Sequence, residues 1–157
     1  MSVLDTLITD RTQSDVSLVL KLKNKGFAEM TTEEKTEYLA GMKGAYKASD
    51  LNRVGEAVAF LRDELIGQGY AVPVNPKTDW KDSDIPTTAH MAAYISDIAL
   101  LRGIVDLPNP PPVPDDMDGL TVTDANNIEQ ILILLDESMR RAAQAWFYSG
   151  DLFSGEV

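Results

Sequence analysis

Leu51, Val54, Val58, Leu61 and Leu65 recur at steps of three and four residues, with Arg53, Glu56, Arg62, Asp63 and Glu64 on the remaining surface. That period puts the five apolar side chains on one helical face and predicts an amphipathic helix over 49–66 that packs against a neighbour. Ser49 is the expected N-cap, with Asp50 in the first turn, and Gly67 and Gly69 end the helix. Gly55 inside it costs about 1 kcal/mol relative to alanine, so it is expected to admit the close approach of another segment.

The same period returns twice. Met91, Ile95, Ile98, Leu101 and Val105 predict a helix from Thr87 to Val105, capped by Asp84 or Thr87. Ile128, Ile131, Leu132, Leu135, Met139, Ala142 and Trp146 predict a third long helix over 122–146, started by Thr121 or Thr123. Ile133 and Leu134 widen its stripe beyond one face, as expected of a helix at the centre of a bundle.

Two shorter helices precede these. Thr12 and Asp15 have capping-box spacing ahead of Val16, Val19 and Leu20, and Gly26 reads as the stop. Thr31 and Glu34 repeat the box before Tyr38, Leu39 and Met42, which are expected to form a buried face. Residues 1–11 form a lead-in whose Leu4, Leu7 and Ile8 can dock on the body. Residues 70–86 carry three prolines and read as a loop, with at most a short edge strand at Tyr70–Val74. Residues 106–118, DLPNPPPVPDDMD, form a stiff, extended connector near polyproline II. Phe147 to Val157, with two glycines and no helical period, reads as a non-helical aromatic tail. The expected fold is therefore all-α: one domain over 1–157, a bundle of about five helices with ordered Pro-rich loops.

Composition narrows the function. The chain of 157 residues is 44% hydrophobic, enough for a core, and it has no cysteine, which excludes disulfides and zinc–thiolate sites. Residues 1–53 are electrically neutral, so the whole formal charge of −11 falls on 54–157. Such a surface repels phosphate backbones and argues against nucleic-acid binding; it suits solubility or a basic protein partner. The opening MSVLDTLITDRT has no basic stretch leading into an apolar one, so no secretory leader is expected. The longest apolar run, Ile131 to Leu135, is five residues against the ~20 of a membrane helix.

Candidate chemistry is sparse. His90 is the only histidine, and no acidic residue stands at its i+4 position, so a nucleophile–base pair built on it is not expected. P-loop, GxGxxG and HExxH patterns are absent. Asp79, Asp82 and Asp84 surround Trp80, and Asp115, Asp116 and Asp118 precede Gly119; neither cluster has calcium-loop spacing, and turn and cap roles are expected for them. No catalytic residue, metal or cofactor is expected. Trp80, in a polar loop, either seals the edge of the core or contacts a partner. Trp146, Tyr148 and Phe153 join it as candidate partner contacts.

Four blocks of wording, LITDRTQSDV (7–16), KNKGFAEMTTEEKTEYLAGMKGAYKASDLNRVGEAV (23–58), KTDWKDSDIPT (77–87) and YSGDLFSGEV (148–157), resemble a helical module of tailed-phage and prophage virion proteins of Gram-positive bacteria. The resemblance is spread over most of the chain. It implies a non-enzymatic structural component associated with tail, baseplate or fibre, made in the host cytoplasm and carried in the virion. It also implies other virion proteins as partners and a homo-oligomer in the particle, and it supplies no catalytic residues. Two alternatives stand beside it: a head-attached fibre or decoration protein, and an acidic intracellular adaptor or inhibitor that binds a basic host protein.

Overall fold

The protein is described by a computed structural model covering residues 2–155, with side chains described as far as residue 145. Five α-helices follow one another: α1 (Gln13–Lys25), α2 (Thr32–Ala40), α3 (Ala48–Gly67), α4 (Thr88–Ile104) and α5 (Val122–Gly155). Short 3-10 turns at Val3–Thr6 and Phe27–Glu29 complete the regular structure, and no strand occurs among the described residues. The fold is an all-α bundle.

Local signals set most helix starts. Thr12 and Asp15 exchange side-chain-to-backbone hydrogen bonds at the start of α1, Thr31 and Glu34 do so at α2, and Thr121 and Asp124 at α5. Each box satisfies two amides of the first turn that have no partner within the helix. At α4 the same role falls to Thr87 and His90, the imidazole Nδ1 accepting the Thr87 N–H at 3.3 Å. Helix α3 begins two residues earlier than Ser49 as N-cap would place it, because Asp50 accepts the Lys47 N–H at 2.8 Å and so holds the turn from Lys47. Gly26 closes α1 at φ 84°, a backbone region that disfavours side chains.

The core lies between α3, α4 and α5, each of which packs on the other two. Val54, Val58, Leu61 and Leu65 of α3 meet Ile95, Ile98 and Leu101 of α4 and Ile128, Ile131, Leu132, Leu135 and Met139 of α5 in one cluster. Leu4 of the first 3-10 turn enters it, and Leu7 packs against it. Val72 and Val74 plug the same core from an irregular loop rather than a strand.

Gly55 has the purpose its position suggests: a Cβ there would stand 2.6 Å from the Lys77 carbonyl oxygen, so the 75–80 loop crosses α3 against bare backbone. The connector between α4 and α5 is strapped to α4 by Arg102, which donates to the carbonyls of Pro111 at 2.7 Å and Pro110 at 3.1 Å. Leu107 anchors the connector in the core.

Three expectations are corrected. The stretch 147–157, expected as a non-helical tail, continues α5 as far as Gly155. No proline interrupts it, and extending an established helix adds a hydrogen bond per residue, which outweighs a single interior glycine at about 1 kcal/mol. In α1 the buried residue is Leu22, while Leu20 of the expected stripe is exposed. In α2 nothing is buried, and Leu39, expected on an inner face, is 73% exposed. Both differences have one cause. The buried residues of the α1–α2 hairpin, Leu22 and Met30, lie outside the main cluster, so the three-helix core does not cover the expected stripes.

Candidate functional site

The first site-like feature is buried and charged. Arg11 in the lead-in, Asp50 and Arg53 on α3, and Glu129 on α5 form one network of two cations and two carboxylates. Glu129 sits among the apolar residues of α5 and is fully withdrawn from solvent. Its carboxylate accepts from Arg11 at 2.7 Å, from Arg53 at 2.6 and 3.3 Å, and from the Ile8 backbone N–H. Asp50 accepts from Arg53 at 2.6 Å and Arg11 at 3.3 Å. Burial alone would weaken the charge on Arg53, but hydrogen bonding and attraction from Glu129 and Asp50 outweigh it and raise its pKa. Above the network, the Tyr46 ring lies 5.5 Å from the Arg11 guanidinium, and the Tyr46 hydroxyl is hydrogen-bonded to that of Tyr94. Burial raises both phenol pKa values.

This network holds pieces of chain together. Its four charges cancel, its carboxylates are saturated with donors, and Arg11, Asp50 and Glu129 are buried, which leaves no free base or nucleophile there. Asn126 reinforces it by reading the Arg11 backbone from both sides, accepting its N–H at 3.0 Å and donating to its carbonyl at 2.9 Å.

Trp80 is held in the same manner. Asn52 of α3 accepts the Trp80 N–H at 2.7 Å and donates to its carbonyl at 2.8 Å, so the loop backbone is pinned as if by a strand partner. The indole is 8% exposed, packed edge-on against His90 at 5.3 Å with the Lys77 ammonium 5.0 Å from its ring centroid. Of the two roles expected for Trp80, a seal at the core edge or a partner contact, the structure shows a side chain that is buried at this loop. The side chains of Trp146, Tyr148 and Phe153 lie outside the described residues.

Beside Trp80 a cavity of about 130 Å³ is bounded by Gly55, Tyr94, His90 and Asp97. Burial raises the Asp97 pKa. His90 is committed to the α4 cap and Lys77 to Asp79 at 2.6 Å. The Asp79–Asp84 cluster works in turns: Asp84 accepts the Lys81 N–H at 2.8 Å, and in the second cluster Asp116 accepts the Asp118 N–H at 2.9 Å. Among the described residues, no three His, Asp or Glu side chains gather as a metal site.

A groove of about 670 Å³ lies where the starts of α3 and α4 meet the end of the connector. Leu51, Met91, Met117 and Leu120 supply apolar lining, and Asp115, Asp116 and Asp118 stand on one side. A hollow of about 260 Å³ continues it past Tyr46 and Pro86 to Asp82 and Asp84. Sequence reasoning located both Asp clusters but not their convergence, because they lie on loops more than thirty residues apart. No family model, curated protein or solved structure matches the chain.

Proposed function

We propose that this chain is a non-enzymatic structural protein of a tailed-phage virion, associated with tail, baseplate or fibre, that works through protein–protein contacts and is oligomeric in the particle. The phage assignment rests on the resemblance of the four sequence blocks. The contact-based part is carried by one observation: four large apolar side chains, Leu18, Leu20, Phe27 and Leu39, are exposed within the single α1–α2 hairpin. Scattered exposed leucines are ordinary, but several on one small hairpin suit a surface that another protein covers. The buried ion network supports the same reading, since it stiffens the scaffold that carries the hairpin.

Mass spectrometry of purified particles tests the proposal. The chain is expected in intact virions at a copy number fitting a symmetric substructure. Its absence from particles, with the protein present in infected-cell lysate, overturns the reading.

A further inference from the structure

A groove and the exposed side of α1 have chemistries that match. On the surface Asp10 is paired with Lys43 at 3.0 Å, Glu34 with Lys25 at 2.7 Å, Asp63 with Arg62 at 3.0 Å and Asp136 with Arg140 at 3.0 Å, while others such as Glu33, Glu37, Glu56 and Glu64 have no ion pair among the described residues. Five of the unpaired carboxylates line the groove and the hollow that continues it. Asp82, Asp84, Asp115, Asp116 and Asp118 have no ion pair among the described residues. Of the two lysines at this end, Lys47 is turned toward α2, donating to the Tyr38 carbonyl at 3.3 Å and lying 4.9 Å from the Tyr38 ring. Only Lys81 stands among the five carboxylates. The groove thus combines an apolar lining with a strongly negative rim, and its complement is an apolar segment flanked by positive charge.

The α1 helix is such a segment. Leu20 is 52% exposed, and Lys21 and Lys23, exposed on either side of it, have no ion pair among the described residues. Phe27 follows at the turn and is also exposed. None of these side chains belongs to the main hydrophobic cluster.

We infer that the α1–α2 hairpin of one copy docks, through Leu20 and Phe27 with Lys21 and Lys23, into the acidic groove of a second copy. The two surfaces differ, so the contact is heterologous: every copy offers a hairpin and a groove, and repetition closes a ring or extends a filament according to the angle between them. Apolar burial supplies the attraction, and the rim charges set orientation and salt dependence. The inference deepens the assembly reading above by naming the surfaces that would join the copies.

Sedimentation velocity on the full chain tests it, over a wide concentration range at low and high salt. Wild type is expected to associate with concentration and to dissociate as salt rises. A groove variant, Asp115→Lys with Asp116→Lys, and a hairpin variant, Lys21→Glu with Lys23→Glu, are each expected to weaken association about tenfold or more, two charge pairs being reversed in each. All substituted positions are exposed, and circular dichroism is expected to show unchanged helix content. Mixing the two variants is the decisive arm, because the groove variant keeps its hairpin and the hairpin variant keeps its groove. The mixture is expected to associate in 1:1 composition where neither variant does alone, and to extend beyond the pair because the reversed groove and the reversed hairpin also carry opposite charges. A wild type that stays monomeric at low salt overturns the inference, as does either variant associating like wild type, or a mixture that stays monomeric. Failure here is separable from failure of the assembly reading: a chain present in virions but monomeric alone sinks only the docking, and a self-associating chain absent from virions sinks only the phage assignment.

Discussion

The guanidinium of Arg11 lies 2.7 Å from the Glu129 carboxylate across 118 residues of chain, with both side chains essentially out of solvent. The contact joins the N-terminal lead-in to the central helix, and Asp50 and Arg53 bring α3 into the same knot. A buried pair of this kind adds little over a well-packed apolar substitute, because desolvation offsets most of the attraction; breaking it from one side is costly. Glu129→Gln is therefore expected to destabilise the protein by roughly 3–5 kcal/mol, since two arginines are left facing a neutral amide. Urea denaturation followed by circular dichroism measures it. A loss under ~1 kcal/mol would match an exposed pair and show that water reaches the network.

What was legible in the sequence, and what was not, follows from chain distance. The caps at Thr12, Thr31 and Thr87 pair residues three apart, so a local reading finds them. The Leu51–Leu65 stripe is equally local, and all five of its side chains are buried. Arg11, Asn126 and Glu129 carry no such signal. Each looks like an ordinary surface residue until a partner more than a hundred positions away is brought to it. The α1 and α2 stripes misled because periodicity shows that a helix has an apolar face but not whether another element covers it. The groove was hidden for the remaining reason, since two acidic loops acquire a joint meaning only when folding sets them around one concavity.

Gly55→Ala is a test in which two effects have opposite sign. On an open helix surface the substitution stabilises by about 1 kcal/mol through helix propensity. Here the added methyl would meet the Lys77 carbonyl at 2.6 Å, and backbone cannot yield as a flexible side chain does. Overpacking of this kind costs roughly 1–3 kcal/mol, so net destabilisation is expected, with the 75–80 loop displaced. Thermal unfolding gives the sign directly, and a raised midpoint would show that the loop does not rest on α3.

Asn52→Ala removes the two hydrogen bonds that pin Trp80. Both Trp80 backbone groups lose a partner at a part-buried site, and a cost of about 1–3 kcal/mol is expected. The more telling readout is tryptophan fluorescence of a Trp146→Phe background, which reports Trp80 alone. Exposure of the indole is expected as a red shift in the folded state. An unshifted spectrum would mean that packing against His90 and Lys77 holds the ring without Asn52.

Asp97 gives a pH dependence. Its pKa is raised by burial, so the folded state holds the proton more tightly than the unfolded chain does. Above the ordinary value of 3.8 the ionised side chain therefore works against folding, and below it the penalty disappears. Asp97→Asn is expected to stabilise the protein at neutral pH, with the gain shrinking as pH falls toward the ordinary carboxyl value. Denaturation midpoints of both proteins across the acid range test this, and a gain independent of pH would assign the effect to packing.

Glu34 has the opposite sign. The Lys25 ammonium donates to its carboxylate at 2.7 Å, and the Thr31 N–H does so at 3.0 Å; together they lower its pKa from 4.5 to about 2. A carboxyl depressed in this way contributes stability that is complete above 4.5 and lost as pH falls through about 2. Because the pair bridges the C-terminal end of α1 to the start of α2, the loss falls on the hairpin rather than the three-helix core. Carboxyl NMR titration is expected to place the Glu34 midpoint near 2, and Lys25→Ala is expected to move it upward while leaving it below 4.5, since the Thr31 cap remains. An unchanged midpoint in Lys25→Ala would show that solvent screens this exposed ion pair and that the cap alone holds the carboxylate down.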